Sequence, residues 1–194
     1  NKSSLILAPE IALIPQLEER LKNQFGVLVG IYHSKMIPSA RYKSWQKFRE
    51  GNIKIMIGTR SAVMLPAPRL GLIIIDEEHD ASYKQNEGFK FSARDLAIKR
   101  AQILKIPIIL GSATPSLRTL KLVEEKKFNI IKLTKRITDK NPPRFSILDI
   151  NETKLLSGLA PQAIQAIGDT LKKQKQAMIF INRRGFAPQF ICSY

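Results

Sequence analysis

The pattern of apolar and polar positions cuts the chain into short buried-type runs separated by helical spacings. Ser4 to Ala8 is a first apolar run. After Pro9-Glu10, residues Leu17, Leu21 and Phe25 recur at helical spacing, with Pro15 in the first turn and Gly26 as the stop. Val27 to Tyr32 reads as the next buried-type strand and ends in His33-Ser34. A basic amphipathic helix follows from about Ser39, carrying Tyr42, Trp45 and Phe48 at three-residue spacing, until Gly51-Asn52 ends it. Aromatics so spaced predict a core face rather than a platform for stacking bases. Lys54 to Ile57 is a third strand that runs straight into Gly58-Thr59-Arg60-Ser61-Ala62, and Pro66 and Pro68 mark the loop after it.

The next run, Leu72 to Ile75, has no polar alternation and predicts a strand buried on both faces, as in a parallel sheet. It stops abruptly at Asp76-Glu77-Glu78-His79-Asp80. Acids at a buried strand tip are costly to desolvate unless a cation or partner compensates them. The carboxyl end of such a strand is also where an open α/β sheet places its ligand crevice. A phosphate-bound Mg²⁺ would supply the compensation. A solvated acidic turn would account for Ile-Ile-Ile-Asp alone; the full D-E-E-H run and the rest of the chain favour a ligand site.

Beyond it lies an aromatic and basic stretch, Tyr83 to Phe91. Ser92 with Asp95 three residues on resembles a capping box and opens a helix to about Lys105. Pro107 to Leu110 predicts a strand, after which Thr114 as N-cap and Pro115 open a helix to about Lys127. Asn129 to Leu133 reads as a strand and Thr134 to Pro143 as a polar, basic linker. The predicted division is therefore 1–140 and 141–194. In the second part Arg144 to Ile150, a helix from about Ala160 to Gln174, and Ala177 to Ile181 suggest a fresh β-α-β unit. Strand and helix alternate throughout, which makes the fold class α/β.

Charge changes the picture most. With 32 Lys and Arg against 16 Asp and Glu, the net charge of +16 points to a polyanionic partner, most often nucleic acid. A merely basic proteome would give the same number. No apolar run reaches the roughly 18 residues of a membrane span, so no membrane is expected as partner. One cysteine, Cys192, leaves no internal disulfide and fits a reducing cytoplasm. The first residues, Asn1-Lys2-Ser3-Ser4, are too short and polar for a signal peptide and lack a Met, so a beginning in mid-protein is expected.

The ordered set A-P-E-I-A-L (8–13), G-T-R-S-A (58–62), D-E-E-H-D (76–80), S-Y-K-Q (82–85), A-R-D-L-A (93–97), G-S-A-T-P-S (111–116) and N-R-R-G-F-A-P (182–188) resembles the PriA family. These are primosomal protein N′, the replication-restart DNA helicases of bacteria. The resemblance runs over nearly the whole chain, from helicase motif Ia to about motif IV. It implies a RecA-like parallel sheet, lobe one of a superfamily-two motor, followed by the start of a second RecA-like lobe. The motor would hydrolyse ATP with Mg²⁺ and move 3′ to 5′ on DNA. Asp76 would hold Mg²⁺ through water, Glu77 would deprotonate the attacking water, and His79 would link the phosphate site to Ser112 and Thr114. In-line attack on a γ-phosphate needs both a charge-neutralising metal and a placed base.

On the DNA side the resemblance places Pro9, Glu10, Thr59 and Arg60, whose amides, hydroxyl and guanidinium suit phosphate contacts without sequence information. Tyr83, Lys84, Phe89, Phe91 and Arg94 resemble the aromatic-rich loop that couples DNA binding to hydrolysis, aromatics for stacking and cations for phosphate. Each could instead serve loop structure. Arg183 and Arg184 would give the second lobe a phosphate or inter-lobe contact. Cys192 stands where the first ligand of the family's zinc insertion belongs, so Zn²⁺ binding is expected only in a longer protein, because one thiolate makes no tetrahedral site. Implied partners are DNA forks, single-stranded DNA, primosome proteins and single-strand-binding proteins, in the bacterial cytoplasm at the nucleoid.

The sequence also departs from the family pattern. It holds no G-x-x-x-x-G-K-[ST], the phosphate-cradling loop, which the resemblance puts just upstream of Asn1. Lobe one is therefore expected to lack an interior strand, and the 194 residues alone to be inactive as an ATPase. Two other readings stay open: another superfamily-two translocase such as a RecG-like fork enzyme, and a non-catalytic module that holds nucleic acid by its basic surface.

Overall fold

The computed structural model describes residues 2–135, 144–151 and 153–180. The chain divides into two compact units, Asn1–Lys132 and Leu133–Tyr194.

The strands of the first unit are β1 (Ser3–Leu7), β2 (Val29–Tyr32), β3 (Ile55–Gly58), β4 (Leu70–Ile75), the short β5 (Lys84–Gln85) and β6 (Phe91–Ser92), and β7 (Ile108–Leu110). Five of them make one sheet in the order β2-β3-β1-β4-β7, and every pairing in it is parallel. Parallel neighbours need crossover connections. Three of these are helices: α1 (Ile14–Phe25) leads to β2, α2 (Pro38–Arg49) leads to β3, and α3 (Ala93–Leu104) leads to β7. An antiparallel ribbon of β5 with β6 lies between β4 and α3. A last helix, α4 (Leu117–Glu124), follows β7. This is the RecA-like α/β arrangement implied by the motifs.

Period-two alternation sends strand residues to opposite faces. Leu5, Leu7, Met56, Ile73 and Ile75 join Phe48 of α2 and Ala93, Ala97 and Ala101 of α3 in one core. Ile6, Val29 and Ile57 join Ile14, Leu17 and Leu21 of α1 in the other. The expectation that Leu72 to Ile75 is buried on both faces holds only in part. Ile73 and Ile75 are fully buried, whereas Leu72 and Ile74 are half-buried. The reason is where α1 sits: it packs on β2 and β3, leaving its side of β4 less covered.

Boundaries differ from the sequence pattern in three places. Ser116, not Thr114, caps α4, accepting from the Thr119 amide at 3.3 Å, and the helix stops at Glu124. Pro115 therefore precedes the cap, where its fixed φ keeps the chain extended ahead of the helix. Residues 129–133 form no strand. Their apolar content does not translate into burial: Ile131 and Leu133 are almost fully exposed.

The second unit contains α5 (Pro161–Lys172), with Pro161 at its first position after the extended Ala160. Leu156 and Leu159 exchange an isolated bridge just before it. Residues 144–150 and 177–180 carry no strand, so the β-α-β unit expected there is reduced to its helix among the described residues. Phe145, Ile147, Met178 and Phe180 are largely exposed, and a strand needs a paired and packed neighbour to hold it. Arg183, Arg184 and Cys192 lie outside the described residues. No helix among the described residues is long and apolar enough to cross a membrane.

Candidate active site

Because all five strands of the sheet are parallel, their carboxyl ends share one edge. Pro9, His33, Thr59, Asp76 and Gly111 leave the sheet there. The β4 exit is fixed on both sides. The Asp76 amide donates to the Leu7 carbonyl at 2.9 Å, and the Glu78 amide donates to the Gly111 carbonyl at 3.0 Å. Between them Glu77 adopts φ of 45°, the left-handed region that a non-glycine residue occupies at some energetic cost. This turn lets the Glu77 amide donate to Asp76 Oδ1 at 3.1 Å and brings its carboxylate back toward His79.

His79 is the centre of the constellation. Its Nδ1 lies 2.7 Å from Ser112 Oγ and its Nε2 lies 3.3 Å from Thr114 Oγ1. The Ser112 hydroxyl in turn accepts from the Thr114 amide at 3.0 Å. Glu77 Oε2 sits 3.5 Å from His79 Nδ1 and is a buried acceptor with no hydrogen-bond donor among the described residues. Sequence reasoning groups Asp76, Glu77, His79, Ser112 and Thr114, and the fold places all five at the tips of β4 and β7. Asp76 is exposed, and its Oδ1 accepts from the Glu77 amide. Asp76 would hold a hydrated cation such as Mg²⁺, and the covered Oε2 of the half-exposed Glu77 could accept from a water beside it. Among the described residues no three His, Cys, Asp or Glu side chains gather as a ready-made metal cage.

Glu78 has a different role from its neighbours. Its carboxylate is buried and accepts from Arg94 Nε at 2.6 Å, from the Ser116 amide at 2.7 Å and from Ser116 Oγ at 3.2 Å. Arg94 also donates to Asp95 at 2.7 Å and to the buried Thr119 hydroxyl. Burial opposes ionisation of Glu78. The Ser116 amide, the Thr119 hydroxyl and Arg94 more than offset it and hold the carboxyl below its usual range. The second glutamate of the run thus ties the tip of β4 to the first turns of α3 and α4. Nothing in the sequence pattern distinguishes it from Glu77.

The expected DNA-side residues separate into two groups. Tyr83 is only 2% exposed. Its hydroxyl lies 3.0 Å from the Leu7 carbonyl and 2.6 Å from the Asp76 carbonyl, beneath the strand tips. Burial, then the charges of Asp76, Asp80 and Glu77, push its pKa far up. A ring so placed is not available to stack on a base, which corrects the expectation for Tyr83. Arg94 is corrected likewise, since its guanidinium is buried and paired within the protein. The physical cause is the same for both: each answers polar groups left open where strands and helices end.

Lys84 and Phe89 are exposed, Phe89 by 73%, and Phe91 is half-buried against the core while its ring touches Phe89 at 5.9 Å. Arg60 donates through Nη1 to the carbonyls of Ser82 (3.2 Å) and Lys84 (2.6 Å), gripping the same loop. Ser82 Oγ donates to the Pro9 carbonyl at 3.2 Å. Glu10 is exposed, and Thr59 is half-buried with its amide on the Tyr32 carbonyl at 3.2 Å. Gly58 permits that approach, for a Cβ there would lie 2.6 Å from the Tyr32 carbonyl oxygen. Pro9, Thr59, Arg60 and the 82–84 loop therefore form one contiguous edge with the acidic tip.

Known proteins resemble this chain in sequence. The chain is 40% identical over 192 residues to the replication restart protein PriA of Haemophilus influenzae, covering 99% of this chain and 26% of that one. It is 35% identical over 196 residues to PriA of Bacillus subtilis, covering 99% of this chain and 24% of that one. The chain thus spans about a quarter of the length of these curated relatives. The structure of RecG bound to a three-way DNA junction is 24% identical at a TM-score of 0.44, covering 63% of this chain and 15% of that one. That likeness is too slight to bear on function. Residues 1–123 match the DEAD/DEAH box helicase family, and with more than half of its length so matched the chain belongs to that family.

Proposed function

We propose that this chain is the central part of an ATP-dependent 3′ to 5′ DNA helicase that acts in replication restart and primosome assembly. The first unit is the lobe that hydrolyses nucleotide, and the second begins the other RecA-like lobe. The PriA relatives match along essentially the whole chain, which favours this over a RecG-like translocase, and the gathering of Asp76, Glu77, His79, Ser112 and Thr114 at the tips of β4 and β7 favours it over a passive basic module. The observation that carries the chemistry is His79 joined through both ring nitrogens to Ser112 and Thr114, with Glu77 Oε2 3.5 Å from its Nδ1 and without a hydrogen-bond donor among the described residues.

In this reading Glu77 accepts the proton of the attacking water, and its left-handed backbone holds it off the strand axis for that purpose. Asp76 would hold Mg²⁺ through water and so supply neutralisation of phosphate charge. His79 reports the state of that site to Ser112 and Thr114. Pro9, Glu10, Thr59, Arg60, Lys84, Phe89 and Phe91 face single-stranded DNA at forks, and Arg183 and Arg184 serve a phosphate or inter-lobe contact of the second lobe. Primosome and single-strand-binding proteins are the protein partners, in the bacterial cytoplasm at the nucleoid. Cys192 alone does not fit zinc, so a Zn²⁺ site needs further ligands from elsewhere in the protein.

The test is Glu77→Gln in the protein expressed from its whole gene. DNA-stimulated ATP hydrolysis falls by about 10²–10⁴-fold, because the base is removed while size and hydrogen bonding remain. DNA binding persists. Turnover near wild type would remove Glu77 as the base.

A further inference from the structure

The aromatic stripe on α2 divides in a way that its spacing does not show. Phe48 is fully buried and Trp45 packs half-buried on the core, but Tyr42 is 61% exposed. The rings of Tyr42 and Trp45 stack with centroids 5.7 Å apart at 24°, and the Arg49 guanidinium lies 5.3 Å from the centre of the Trp45 ring. Tyr42 is thus held flat by a core-anchored tryptophan while most of its own surface meets solvent.

The surroundings are cationic. Over Pro38–Arg49 the helix carries Arg41, Lys43, Lys47 and Arg49 and no acid. No ion pair among the described residues engages any of them. Tyr42, Trp45 and Arg41 line an open cleft together with Pro38 and Tyr32. Tyr32 ends β2, and its carbonyl takes the amide of Thr59, so the cleft borders the Thr59–Arg60 tip of β3.

We propose that this cleft is a base-stacking site for single-stranded DNA, with Tyr42 as the platform and Arg41 as a phosphate contact. A preformed aromatic face offers every base a π surface, and unpaired cations beside it follow the backbone. The site extends the strand-tip edge outward along α2, so DNA leaving Thr59 meets it next. It rests on the reading of this protein as one that binds DNA.

The experiment measures single-stranded oligonucleotide binding by the protein expressed from its whole gene, with wild type, Tyr42→Ala, Tyr42→Phe and Arg41→Gln. Tyr42→Ala weakens binding by about 5- to 150-fold, the loss for one stacked base, while Tyr42→Phe retains it. Arg41→Gln lowers the log–log salt slope by about 0.7, as for one phosphate contact on a single strand. Photocrosslinking with 5-iodouracil in the strand labels the peptide that contains Tyr42. If wild type binds and both Tyr42→Ala and Arg41→Gln bind as well as it does, the α2 site is overturned and the DNA reading stands. If wild type itself does not bind single-stranded DNA, both fall.

Discussion

At the level of single residues, the chemistry is legible wherever type alone fixes a role and illegible wherever surroundings decide it. Asp76, Glu77 and His79 can be chosen because carboxylates and an imidazole directly after an apolar strand are costly there unless a ligand compensates them. Tyr83, Lys84, Phe89, Phe91 and Arg94 look alike in sequence, an interleaving of aromatics and cations. The fold sends Tyr83 and Arg94 inward, leaves Lys84 and Phe89 outside and sets Phe91 between. What separates them is which backbone groups need partners, and that depends on contacts distant in sequence, such as Tyr83 with Leu7. Tyr83→Phe tests the inward role. It keeps the ring and removes the hydroxyl shared by the buried Leu7 carbonyl and the part-buried Asp76 carbonyl. Stability falls by about 1–3 kcal/mol, the usual loss when buried polar groups go unsatisfied. Thermal unfolding measures it, and an unchanged melting temperature would refute the bridge. DNA affinity measured under conditions where the variant stays folded remains that of wild type, because the ring meets no base.

At the level of elements, an apolar run marks a strand only where the fold pairs and packs it. β1, β2, β3, β4 and β7 fall where the apolar runs are, since each is hydrogen-bonded to a neighbour and joined to a core. Residues 129–133 are just as apolar in sequence, but they stay exposed and no strand forms. The start of α4 lies two residues beyond its expected place because Thr114 and Ser116 are both good caps. Glu78 decides between them: its carboxylate takes the Ser116 amide, and Thr114 is drawn to His79. That clamp gives an acid sensitivity that can be worked out. The folded-state pKa of Glu78 is depressed below its ordinary 4.5, so the native state binds fewer protons than the unfolded one in that window. The stabilisation is present above pH 4.5 and is lost as pH falls through the depressed value. At neutral pH Glu78→Gln removes the buried one of the two carboxylates that pair with Arg94 and leaves only the more exposed Asp95, so stability falls, by less than the roughly 3–5 kcal/mol of a fully uncompensated buried charge. The gap between wild type and variant, followed by melting from pH 7 downward, narrows only below the ordinary carboxylate range. A gap independent of pH would show that the network is held by shape and not by charge.

At the level of the whole molecule, the net charge of +16 can be divided into parts with different duties. Arg94 is buried with Glu78, and Arg100 donates to the Val63 carbonyl at 2.6 Å. These cations serve the fold, and counting them as DNA contacts would overstate the interface. Lys84 is different: it is exposed, it stands beside Arg60 at the strand-tip edge, and the ribbon it opens carries the exposed Phe89. The charge hypothesis therefore predicts unequal effects among basic residues. In single-stranded DNA titrations at several salt concentrations, log affinity falls linearly with log salt, and Lys84→Gln lowers that slope by about 0.7 through loss of one released counterion. The same substitution weakens binding to all sequences alike, since a phosphate contact reads no bases. A mixed-sequence strand and a homopolymer compared at one salt concentration check that second point. Binding that ignores salt, or a Lys84→Gln slope equal to that of wild type, would mean that the charge of this edge serves something other than the DNA backbone.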